Sequence, residues 1–120
     1  MVNKLTPENV LFDSRVILEK GADLIKTFYV GDKENHKNVV SSCPIPILIA
    51  GGPNIIGDRE FLEVINNYIE SGGKGVTIGR LIWHEHSNIR ERVNAICRLV
   101  HDRESVDDCL SILKDCKNNL

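Results

Sequence analysis

The chain has 120 residues, 42% of them apolar and 27% charged, which is ordinary globular usage at the size of one domain. Disordered, collagen-like and multidomain organisations are therefore excluded. Fifteen Lys and Arg stand against 17 Asp and Glu, a formal charge of -2, with no basic stripe and no acidic tail, so neither nucleic acid nor an anionic membrane is an expected partner.

The apolar stretch 39–56 is interrupted by Pro44, Pro46, Gly51, Gly52 and Pro53 and cannot cross a bilayer as a helix. Residues 1–9 contain no apolar core of a secretory signal, so the expected location is the cytoplasm. Cys43, Cys97, Cys109 and Cys116 never form C-x-x-C and have no His at finger spacing, which points to reduced, mostly buried thiols and to no metal site.

Thr6-Pro7-Glu8 is a helix start, and the helix runs to about residue 20, where Gly21 suits a left-handed terminus. Residues 22–30 are β-branched and aromatic and read as a strand. A short polar helix over about 33–42 follows, then a buried strand over 45–50 that begins after Pro44. Asp58 is the expected cap of a third helix, with Phe61, Leu62, Ile65, Tyr68 and Ile69 on one face. Residues 75–78 make a third strand, Gly79-Arg80 closes it, and a polar loop leads to a fourth helix with Ile89, Val93, Ile96, Cys97 and Val100 on one face. Ser105, with Asp108 closing a capping box, starts a last helix that buries Val106, Cys109, Leu110, Leu113 and Cys116.

The alternation of helix with near-continuous apolar strand predicts an α/β fold of parallel strands with outer helices, joined by right-handed crossovers. Three strands are too few to close a barrel, so the chain is either a small open sheet or a portion of a (β/α)8 barrel.

Ligands in such folds sit at the carboxyl ends of the strands, which here carry Lys26, Gly51-Gly52 and Gly79-Arg80. Lys26 is in phase with Leu24 and Phe28. Desolvation and a neighbouring cation such as Arg80 can leave its amine neutral and able to form a Schiff base; alternatively its head simply reaches water. Bare backbone N–H groups at Gly51-Gly52 and the Arg80 guanidinium can converge on one phosphate, or the glycines serve the turn alone and the arginine is a surface charge. His84-Glu85-His86 reads as a solvated loop and not a metal site, and His36 and His101 read as surface residues. Neither Ser41-Ser42 nor Ser14 has the flanking glycines of a hydrolase nucleophile.

Three runs, Gly21-Ala22-Asp23-Leu24-Ile25-Lys26-Thr27-Phe28-Tyr29, then Cys43-Pro44-Ile45-Pro46-Ile47-Leu48-Ile49-Ala50-Gly51-Gly52-Pro53, then Gly75-Val76-Thr77-Ile78-Gly79-Arg80, resemble the carboxyl-terminal part of the archaeal-type (DhnA-type) class I aldolases. These belong to the DeoC/LacD superfamily, with fructose-bisphosphate aldolase, aminodideoxyheptulosonate synthase and the autoinducer-2-phosphate thiolase. The resemblance covers about residues 7–115. It implies one partial TIM-barrel domain over residues 1–120, holding the C-terminal three βα units (strands 6 to 8) of a (β/α)8 barrel. It implies that Lys26 is the Schiff-base lysine, that Gly51 and Gly52 form the phosphate-binding turn after the seventh strand, and that Gly79 and Arg80 form the second half of that phosphate site. No cofactor and no metal are implied.

Asn54 stands where family members often carry Lys after Gly-Gly-Pro, and Leu81 stands where Asn often follows Gly-Arg. The first five strands, with the acidic residue of the first and the tyrosine used in proton transfer, are not in these 120 residues; Met1 falls in the linker before the fifth helix. Two functions remain open. One is a class I aldolase acting on a phosphorylated ketose such as fructose 1,6-bisphosphate, or an acyl-transferring relative, completed by another copy or a complementary barrel half. The other is a catalytically inactive fragment whose open sheet edges self-associate.

Overall fold

The structure is a computed structural model and describes residues 5–30, 32–51, 57–83 and 88–118. Helix α1 (Pro7–Glu19) opens where the sequence placed it: the Thr6 hydroxyl accepts from the Asn9 N–H at 3.2 Å, and Pro7 takes a position that needs no donor. Gly21, at φ +90°, lets the chain turn back into strand β1 (Ile25–Phe28). Helix α2 (Lys33–Ser41) is capped by the Asp32 carboxylate, which accepts from Asn35 N–H at 2.8 Å. Strand β2 (Ile47–Ala50), helix α3 (Asp58–Glu70) and strand β3 (Gly75–Thr77) follow.

The sheet order is β1-β2-β3, parallel throughout, with Ile25 opposite Ile47 and Leu48 opposite Gly75. Both long strand expectations shorten. Pairing in β1 is limited to the four residues that β2 matches, and β2 itself begins after Pro46, which has no N–H to give to a ladder. Pro46 contributes its carbonyl instead, accepting from Ile25 N–H at 3.0 Å.

The expected cap of α3 moves by one residue. Gly57, at φ +89°, holds the cap position without a side-chain bond, and Asp58 is the first helical residue. The polar loop expected after Gly79 contains a short helix α4 (Arg80–Trp83), because Leu81, Ile82 and Trp83 are apolar enough to fold back. Helix α5 (Ile89–Cys97) continues into a wide π-helical turn at Arg98–Asp102, ended by Arg103 in the left-handed region at φ +59°. Its buried face is Arg92, Ala95, Ile96, Leu99 and Val100. Ile96 and Val100 are buried as expected, but Ile89 and Val93 are each 42% exposed and Cys97 is exposed. Arg92 displaces that stripe because its charge finds partners inside. Helix α6 (Val106–Asn118) starts at Ser105, whose hydroxyl accepts from Asp108 N–H at 3.1 Å. The Asp108 carboxylate binds that hydroxyl at 2.7 Å, being one methylene shorter than the Glu of a full capping box. The side chain of Cys116 lies outside the described residues.

Helices cover one face of the sheet. Ile25, Ile47 and Ile49 point into two apolar clusters: one with Val10 of α1, Val39 of α2 and Cys43 just after it, the other with Phe61, Leu62, Ile65 and Tyr68 of α3 and with Ala95, Leu99, Cys109 and Leu113. Each buried side chain of this size is worth about 1.5–3 kcal/mol. Tyr68 donates to the Ile47 carbonyl and joins α3 to β2. The opposite face, where Leu24, Lys26 and Phe28 project, carries no helix among the described residues; Leu24 is 51% exposed and Phe28 42%. Strands covered on both faces were the expectation; among the described residues only one face is covered.

Candidate active site

The register sets Phe28 beside Ala50 and Ala50 beside Thr77. Because strand side chains alternate, Lys26, Phe28, Ala50 and Thr77 share the open face, away from Ile25, Ile47 and Ile49. At the carboxyl ends of the strands lies a cleft of ≈ 680 Å³, lined by Leu5, Lys26, Phe28, Ala50, Gly51, Thr77, Gly79, Arg80 and Trp83. Four residues singled out from sequence, Lys26, Gly51, Gly79 and Arg80, therefore line one cavity. Gly52, and likewise Asn54 and His84-Glu85-His86, lie outside the described residues. No three metal-ligating side chains gather among the described residues.

Lys26 is exposed, not desolvated between Leu24 and Phe28. The reason is the open face, where Leu24 and Phe28 beside it are themselves exposed.

Close packing explains the two glycines. A Cβ on Gly51 would lie 2.9 Å from Leu81 Cδ1 and 3.3 Å from Ile78 Cγ2, and one on Gly79 would lie 3.0 Å from Trp83 Cζ2. Without those side chains, α4 folds down over the end of β2 and carries Arg80 to the cleft. Both glycines are thus required by this close approach of side chains to the backbone.

Sequence reasoning missed Leu5, Thr77 and Trp83 in the lining. Thr77 Oγ1 donates to the Ile49 carbonyl at 3.4 Å. Trp83, the single tryptophan of the chain, four residues after Gly79, was the available signal. Sequence reasoning also missed Arg92, which is 3% exposed, lies 5.1 Å above the centre of the Phe61 ring and pairs with Asp58. Its signal was a charge at the spacing of Ile96, Leu99 and Val100.

The sequence itself now decides the lineage: the family model of the DeoC/LacD family aldolases matches residues 1–85. The chain belongs to the DeoC/LacD aldolase family. It is 36% identical over 105 residues to an uncharacterised aldolase of Saccharolobus solfataricus, an alignment covering 88% of this chain and 38% of that protein. It is 29% identical over 113 residues to the class 1 fructose-bisphosphate aldolase of Thermoproteus tenax, covering 93% and 43%. Among solved structures, an archaeal fructose-1,6-bisphosphate aldolase with its catalytic Lys covalently bound to the carbinolamine intermediate superposes with a TM-score of 0.76 at 31% identity, over 83% of this chain and 40% of that one. The chain thus spans about two fifths of the length of the relatives it matches. As a member of this family, its three parallel strands with outer helices are the C-terminal βα units of a TIM barrel, and the open face of the sheet is the face that a closed barrel turns inward.

Proposed function

We propose that the chain carries the imine-forming and phosphate-holding half of a class I aldolase site for a phosphorylated ketose. The observation that carries this reading is the single cleft that holds Lys26, Gly51, Gly79 and Arg80 at the carboxyl ends of three parallel strands.

The unprotonated amine of Lys26 attacks the ketone carbon, the carbinolamine loses water, and the resulting iminium draws electrons from the bond to be cleaved. The Arg80 guanidinium pairs with the phosphate, with the backbone N–H groups of the turn at Gly51 and Gly52 beside it. Holding the phosphate fixes the distance between the carbonyl and the amine, which is where most of the benefit of a bound substrate lies. The base that takes the hydroxyl proton in carbon–carbon cleavage belongs to the strands that complete a barrel. A second copy or a complementary barrel half would supply it, and without it the rate falls by about 10²–10⁴-fold. The 120-residue chain alone is therefore expected to form the imine and not to turn over. The free thiols of Cys43, Cys97 and Cys109 fit a reducing, cytoplasmic compartment.

The test is the concentration dependence of borohydride trapping with dihydroxyacetone phosphate. Replacing Arg80→Gln should raise the half-saturating concentration about tenfold, the range of a lost charge-assisted contact, and leave the plateau unchanged. An identical curve for the variant would separate Arg80 from the site.

A further inference from the structure

Behind the Arg80 side of the cleft lies one buried side chain that ties α4 to α3. Arg92 of α5 sends its Nε–H to the Leu81 carbonyl at 3.0 Å and its Nη1 to the Asp58 carboxylate. Leu81 belongs to α4, directly after Arg80, and its Cδ1 is the atom that fills the space a Cβ on Gly51 would take. Asp58 is the first residue of α3. Leu81 therefore packs against Gly51 with its side chain while its carbonyl, through Arg92, is tied to Asp58. The Phe61 ring under the guanidinium fixes its plane.

We infer that Arg92 is a positioning residue: it ties α4, which carries Arg80, to the first residue of α3, so that the Arg80 guanidinium keeps a fixed place at the cleft beside Gly51. A planar guanidinium can serve both partners at once, whereas an ammonium on the same stem reaches one. The inference rests on the phosphate reading of the cleft for its functional consequence, but its structural content does not.

The test uses the full chain and two variants. Asp58→Asn removes the charge at the α3 end, and Arg92→Lys keeps the positive charge but loses the fork. Amide exchange is read at Ile82, whose N–H bonds the Gly79 carbonyl at 2.8 Å, and at Ile25, whose N–H bonds Pro46 far from both loops. Coupling predicts that Asp58→Asn, a change at the start of α3, speeds exchange at Ile82 about tenfold and leaves Ile25 unchanged. Equal acceleration at both amides, or none at Ile82, would overturn the inference, since a merely structural role loosens the whole fold or only the α3 end. The functional arm is the ratio of trapping with dihydroxyacetone phosphate to trapping with dihydroxyacetone at equal concentration. Arg92→Lys should lower that ratio about tenfold while trapping of the phosphate-free ketone stays as in the unaltered chain; an unchanged ratio would overturn the proposed consequence. If the unaltered chain traps neither ketone, the imine reading fails, and the exchange arm still decides the coupling.

Discussion

His36 is the clearest case of a residue whose environment dictates a measurable property. Its ring is fully buried, 4.7 Å from the Tyr68 ring and 5.3 Å from the Tyr29 ring, and neither nitrogen has a hydrogen-bond partner among the described residues. Burial lowers its pKa from 6.5 to about 4. The folded chain thus binds the His36 proton more weakly than the unfolded chain. The resulting stability is present above pH 6.5 and is lost as the pH falls from there towards 4, by up to about 3 kcal/mol. His36→Phe keeps the packing and should abolish that part of the slope, read as the difference in urea midpoint between pH 7 and pH 4.5. A variant with the slope of the unaltered chain would assign the acid sensitivity elsewhere. Gly73 is equally specific, since a Cβ there would lie 2.2 Å from Tyr68 Cζ. Gly73→Ala should destabilise by about 1–3 kcal/mol through overpacking, measured by thermal melting. The surface reading of His36 is overturned, because burial depends on which face of α2 meets the sheet.

Element starts and ends were legible where a local side chain determines them. Thr6 caps α1 and Ser105 caps α6 with hydroxyls that accept from N–H groups three residues on, and Thr6→Ala should destabilise by about 1 kcal/mol, seen as a lowered urea midpoint. Boundaries set by tertiary partners were not legible: β1 ends where β2 offers no more backbone, and α5 turns Arg92 inward because Asp58 and the Leu81 carbonyl wait there. The candidate site divides in the same way. Lys26, Gly51, Gly79 and Arg80 could be named from their places at strand ends, whereas Thr77 joins the cleft through the register of β3, and Leu5 and Trp83 only through folding of the segment before α1 and of α4.

At the scale of the whole molecule, three βα units leave a parallel sheet with two unpaired edges and an uncovered apolar face. The radius of gyration is 15.2 Å with extents of 49 × 32 × 23 Å, above the roughly 13.6 Å of a compact domain of this length. Phe12 is 68% exposed on α1 beside one edge, and Ile89 and Val93 are exposed on α5. The 120-residue chain should therefore bind a dye for apolar surface and self-associate as its concentration rises. Leu24→Glu, on the open face and outside the cleft lining, should reduce both; a monomeric, dye-silent parent chain in sedimentation would contradict this account of the face.

The central claim is that the cleft at the strand ends presents Lys26 as the nucleophile. Its most direct test is intact mass and peptide mapping of the chain after dihydroxyacetone phosphate and borohydride, with Lys26→Ala and Lys74→Ala compared. The account predicts one reduced adduct, located at Lys26, abolished by Lys26→Ala and retained in Lys74→Ala. A folded chain with no adduct, or an adduct that survives Lys26→Ala, would contradict it.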